Sequence, residues 1–202
     1  PLVSSTSTTN NGDLLILTAG GVLELNGNSQ VFGELMSRYS TPGSGGIINN
    51  AGANATFITS VNNSRNWSGQ INGNLNFIKT GSSQLTVWSD NQFTGNLTLM
   101  GSITALGDQG RFSGMGAVDT ISIRNSLLRW DDSVSQGMSN RIAGNVAYEL
   151  DGGAFEFISR SGTAGSVTLG DLSLTGGSNI LRANVGLGGV GQATVNLNGS
   201  FT

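Results

Sequence analysis

Three consecutive runs decide the fold: Leu75-Asn76-Phe77-Ile78-Lys79-Thr80-Gly81, Gln84-Leu85-Thr86-Val87, and Asn91-Gln92-Phe93-Thr94-Gly95-Asn96-Leu97. Apolar and polar residues alternate within each run. Successive side chains of a β-strand point to opposite sides, so each run has one apolar and one polar face. Gly, Asn and Ser separate the runs and supply the turns. The same pattern continues upstream in Leu23-Glu24-Leu25 and downstream in Leu97-Thr98-Leu99 and Ile103-Thr104-Ala105. It recurs in Ile121-Ser122-Ile123, Leu128-Arg129-Trp130, Phe155-Glu156-Phe157, Val167-Thr168-Leu169, Leu172-Ser173-Leu174 and Val195-Asn196-Leu197.

A spacing of about 10 to 12 residues between strands fits a sandwich, a barrel or a solenoid. Two features favour the solenoid. Asn-Gly pairs flanked by long strands, the strongest two-residue hairpin signal, are few; Asn26-Gly27, Asn72-Gly73 and Asn198-Gly199 sit among looser turns. The strands are also uniformly short, as in a coil whose strand stacks on its equivalent one turn later, so that parallel pairing needs no helical crossover. The expectation is an all-β, right-handed parallel β-helix (β-solenoid) with lateral loops. Coils of roughly 20 residues rising about 4.8 Å each predict about ten coils and a height of about 50 Å.

Composition agrees. Only 10% of the 202 residues are charged, against about 25% in an average chain. Gly supplies 32 positions but Pro only two, which excludes collagen. The net charge is −3 and Lys79 is the sole lysine, so the basic stripe that binds nucleic acid is missing. No apolar run reaches the roughly 20 residues of a membrane-spanning helix. The start, Pro1-Leu2-Val3, has no signal-peptide pattern, and any leader is expected outside these residues. Cys and His are both absent. That removes zinc's usual ligands and every Ser–His, Cys–His or Cys nucleophile arrangement, and the chain is not expected to be an enzyme.

Residues 1–202 read as one solenoid segment, expected to belong to a longer chain or a filament. Residues 41–46 read as a loop, since Pro42 cannot donate to a ladder. The Gly-rich stretch 107–117 reads as a second lateral loop, and 131–142 as room for a short helical turn. Trp67 and Trp130 are expected in the core, with Trp88 facing out.

Residues 67–106 resemble the autotransporter-associated β-strand repeat, also called the passenger-associated transport repeat. The resemblance rests on Trp67, Gly69, Lys79, Gly81, Leu85, Phe93 and Gly95, with Lys79-Thr80-Gly81 at the motif's centre. Phe93 stands where that family usually has Tyr, and Ser83 where its second Gly usually falls. The resemblance implies a β-helix secreted or displayed at a bacterial cell surface, and no single activity.

Three groups of residues admit both a functional and a plainer reading. Asp131 and Asp132 follow Trp130, but neighbouring strand residues point apart, which disfavours a glycosidase pair. Calcium is the one cation left open, through Asp108, Asp119, Asp151 and Asp171; ordinary turn capping is the alternative. Gly188-Gly189-Val190-Gly191-Gln192 has the glycines of a calcium-roll repeat but Gln at the ligand position. Asn54, Asn66 and Asn96 fit the N-glycosylation sequon by spacing alone. No cofactor is expected. The expected function is a structural scaffold or stalk of an extracellular surface fibre, whose partners are itself or neighbouring solenoid segments. The alternative is an adhesin that binds surface glycan or protein through loops 39–46 and 107–117.

Overall fold

The computed structural model describes residues 14–134, 138 and 140–202. The described residues form strands, turns and bends with no helix, and the strands stack in parallel as a β-solenoid of about eight turns. Pro1, Leu2 and Val3 lie outside the described residues, as do 135–137 and 139 within the segment considered for a helical turn.

Each turn contributes to three faces. The first face begins with Val22–Glu24 and passes through the leading halves of Ile47–Ser60 and Gln70–Thr80 to Asp90–Phe93 and Arg111–Phe112. It continues through a parallel bridge from Phe112 to Ile142 and ends with the pair Ala164–Leu169 and Gln192–Leu197. The second face runs from Gln30–Phe32 through the trailing halves of Ile47–Ser60 and Gln70–Thr80. Leu97–Met100, Thr120–Arg124, Ala147–Asp151 and Leu172–Gly176 extend it, and a bridge from Leu172 to Phe201 closes it. The third face stacks Leu14–Ile16 on Glu34–Met36, then Arg65–Trp67, Leu85–Val87, Ile103–Leu106, Leu127–Asp131, Ala154–Ser159 and Ile180–Val185. Every strand pair is parallel, and among the described residues the one antiparallel bridge joins Thr18 to Gly45.

Eight turns replace the ten that a 20-residue coil predicts, because most turns are longer. Arg65 stacks on Leu85 after 20 residues, but Thr120 stacks on Ala147 after 27 and Ala164 on Gln192 after 28. The short period belongs to the turns that carry the repeat-like motif, and lateral loops lengthen the rest. At about 4.8 Å per turn the stack is roughly 35 Å tall.

Inward positions of all three faces fill one apolar column. Phe32, Phe57, Phe77, Phe93 and Phe112 form a ladder with ring centroids 5.8, 5.9, 6.1 and 5.6 Å apart. Trp67 and Trp130 are buried, and Trp88 is partly exposed, as the alternation predicts. One strand reverses the expected phase. Thr104 and Leu106 point inward, stacked on Leu85 and Val87, while Ile103 is only partly buried. The parallel register of the preceding turn sets this phase, overriding the local pattern. The stretch 107–117 likewise holds more than a loop, since Arg111–Phe112 forms a first-face rung with Phe112 fully buried. Corners use left-handed backbone where the chain turns most sharply, as at Asn26 (φ 51°) and Gly27 (φ 78°).

Candidate functional site

The seven motif residues occupy neighbouring turns. Trp67, Lys79, Leu85 and Phe93 are all fully buried. The three glycines sit where a turn's backbone lies against the preceding one. A Cβ on Gly69 would stand 2.2 Å from the Gly46 carbonyl oxygen, and one on Gly95 would stand 2.5 Å from that of Leu75. Gly81 adds a φ of +97°, which L-residues rarely adopt. The motif therefore sets how turns stack, and its residues do not converge on a solvent-facing point.

Asn91, absent from the motif reading, ties these turns together from inside. Its Oδ1 accepts from Trp67 Nε1 at 3.2 Å and from the Ile71 backbone N–H at 2.9 Å, and its Nδ2 donates to the Ser89 carbonyl at 2.8 Å. Full burial with satisfied donors and acceptors makes it an internal clamp. Asn50 does the same work near the top, accepting from Gly27 N–H at 2.7 Å and donating to the Ala53 carbonyl at 2.8 Å.

Two lateral loops share one corner of the solenoid, because segments 37–46 and 107–110 each leave the end of a third-face strand, as does the chain after Asp131. Loop 39–46 folds down over the following turns. Ser68 Oγ donates to the Tyr39 carbonyl at 2.7 Å, and Gly43 N–H reaches the Ser68 carbonyl and Ser89 Oγ, both at 2.9 Å. Tyr39 itself is 60% exposed, with the Arg38 guanidinium 5.8 Å above its ring. Below it, Trp88 donates its indole N–H to Asn66 Oδ1 at 2.9 Å, and its ring lies against Gly107.

The paired acids Asp131 and Asp132 diverge. Asp131 Oδ1 accepts from the backbone N–H and Oγ of Ser133, whereas Asp132 Oδ1 binds the buried Arg141 guanidinium at 2.6 Å. Arg141 also donates to the Gly110 carbonyl at 2.6 Å, which pins the chain at Arg141 to the turn before. Burial raises the Asp132 pKa despite the opposing Arg141 charge and hydrogen bonds.

Of the acids weighed for calcium, Asp119 caps the Gly116 N–H at 2.7 Å and Asp171 caps Ser200 through its N–H and hydroxyl. Among the described residues no three carboxylates gather closely enough to hold a cation. The sequon residues are engaged in contacts between turns. Asn54 exchanges hydrogen bonds with Asn74 and Asn76, Asn66 holds Trp88, and Asn96 Oδ1 accepts from the Thr120 N–H.

No family model, curated protein or solved structure matches this chain.

Two glutamates form charged hubs that the sequence reading missed. Glu34, 1% exposed, binds Arg65 and accepts from the N–H groups of Asn62 and Asn63. Burial opposes its charge, but the hydrogen bonds from Asn63 and Arg65 and the Arg65 charge outweigh it and hold the pKa below the ordinary value. Glu156 is treated the same way by Arg129 at 2.7 Å and Arg182 at 3.1 Å, which stack directly on it from the turns on either side. The signal for both hubs is an Arg about one turn away, visible only once the turn lengths are known.

The last turn differs from the interior ones. Ile180, Leu181, Leu197 and Phe201 are 44%, 45%, 41% and 60% exposed. With Leu150, Leu172, Leu174 and Asn179 they line an open apolar cleft of about 230 Å³. Ile180–Val185 pairs on one side only among the described residues, whereas each interior third-face strand is flanked on both sides.

Proposed function

We propose that this chain is a length of rigid rod in an extracellular bacterial surface fibre, stalk or layer, extended by stacking solenoid turn on solenoid turn. The observation that supports this reading is the unbroken apolar column, in which Phe32, Phe57, Phe77, Phe93 and Phe112 stack turn on turn between strands that all pair in parallel. In this reading the buried motif residues supply stiffness and no catalytic step is needed.

Sedimentation velocity and negative-stain microscopy of the purified chain test it. The expected result is end-to-end rods that lengthen with concentration and disappear in Leu181→Asp. Monodisperse single particles at every concentration would argue against stacking between copies.

A second reading, an adhesin contacting glycan or protein through the loop corner, is favoured by the exposed Arg38–Tyr39 pair on loop 39–46. Deleting that loop would also strip the bonds to Ser68 and Ser89, so point changes test binding more cleanly. On a glycan array, Tyr39→Ala should abolish any signal given by the parent chain while leaving its thermal unfolding unchanged. A signal that survives the substitution removes the corner from consideration.

A further inference from the structure

Lys79 is the single lysine of the chain, and it points into the solenoid column beside Leu75 and Phe77. Its side chain is fully buried and its Nζ has no hydrogen-bond partner among the described residues. A buried ammonium is normally paired, because leaving water without compensation is costly.

The neighbouring strands offer no compensating charge. Lys79 stacks between Thr59 and Leu99, on Ile47–Ser60 and Leu97–Met100, and neither strand contains an acidic, basic or tyrosine residue. Its own strand, Gln70–Thr80, has no other charged residue. The remaining strand packed against it, Asp90–Phe93, carries one carboxylate, Asp90, which is already held by Arg111 at 2.8 Å and Ser113 at 2.6 Å.

We propose that Lys79 is a built-in pH-sensitive weak point of the rod, loosening the turns around 59–99 while it carries a proton and tightening them when the proton is lost. Burial pulls its pKa from an ordinary 10.5 down to about 8. Above pH 8 the folded chain releases this proton, whereas the unfolded chain keeps it up to about pH 10.5. Between these values the unfolded state binds more protons, so stability rises with pH. Below pH 8 the cost of burying the charge is present in full.

The rest of the chain leaves this window nearly empty. It has no His and no Cys, and burial raises the Tyr148 phenol well above its ordinary range. A Lys79 variant keeps every other ionisable group of the chain and serves as an internal control.

Thermal unfolding of the whole chain at pH 7 and pH 9.5, with hydrogen exchange resolved by segment, provides the test. The parent chain should gain roughly 5 °C or more between the two pH values. Lys79→Met should already sit at the higher temperature at pH 7 and stay flat. Lys79→Arg, which keeps its charge throughout, should stay flat at a lower temperature or fail to fold. Exchange in Ile47–Ser60, Gln70–Thr80 and Leu97–Met100 should slow in Lys79→Met at pH 7, with Gln192–Leu197 unchanged. Equal pH slopes in the parent and Lys79→Met, or a destabilised Lys79→Met, would overturn the proposal.

Discussion

Replacing Arg141 by alanine should destabilise the folded chain by about 3–5 kcal/mol, the range for breaking a buried ion pair by removing one partner. Arg141 is fully buried and makes two contacts of 2.9 and 2.6 Å to Asp132 and one of 2.6 Å to the Gly110 carbonyl. Without it, a carboxylate that burial already drives toward its protonated form loses its counter-charge. An acid whose folded pKa is raised contributes stability at low pH and loses it as pH rises through that pKa. The penalty in Arg141→Ala should therefore be larger at pH 7 than at pH 4, and Arg141→Ala with Asp132→Asn should recover part of it. Urea denaturation followed by tryptophan fluorescence measures all three. A midpoint for Arg141→Ala that matches the parent at pH 7 would show that the clip between Arg141 and the preceding turn contributes nothing.

The second large effect is expected at Phe77. It is fully buried in the middle of the phenylalanine ladder, 5.9 Å from Phe57 and 6.1 Å from Phe93. A solenoid turn is held only by its neighbours, so the cavity cannot be filled by rearrangement from elsewhere in the column. Phe77→Ala should cost about 3–5 kcal/mol. Thr98→Ala, on the outer side of the strand stacked on it, should stay within about 0.5 kcal/mol of the parent. Thermal unfolding of the two variants side by side makes the comparison, and similar costs would contradict the assignment of inward and outward positions.

Much of this assignment was legible from alternation alone. Phe77, Leu85, Ile121, Leu128 and Trp130 all point inward, as expected from neighbours whose side chains must alternate. The failures are instructive. In Ile103-Thr104-Ala105 the apolar pair suggested the wrong phase, because stacking on Leu85 and Val87 turned Thr104 inward. In 107–117, glycine content concealed the rung that buries Phe112. The interaction surfaces were less legible still. Loops 39–46 and 107–117 were visible in the sequence, but their meeting at one corner depends on both leaving the third face.

Local sterics and composition determine the all-β class, the inward residues and the sharp corners, because these depend on neighbours a few positions apart. The missing His and Cys and the single lysine are likewise properties of the sequence alone. Tertiary structure decides the number of turns, the grouping of Arg129, Glu156 and Arg182, the clip from Arg141 to Gly110, and the isolation of Lys79. Parallel stacking joins residues from 19 positions apart, as from Leu85 to Thr104, to 30 apart, as from Phe112 to Ile142, and that interval changes wherever a loop bulges out. The partners of a residue are therefore set by the length of the whole intervening turn, which local pattern does not encode.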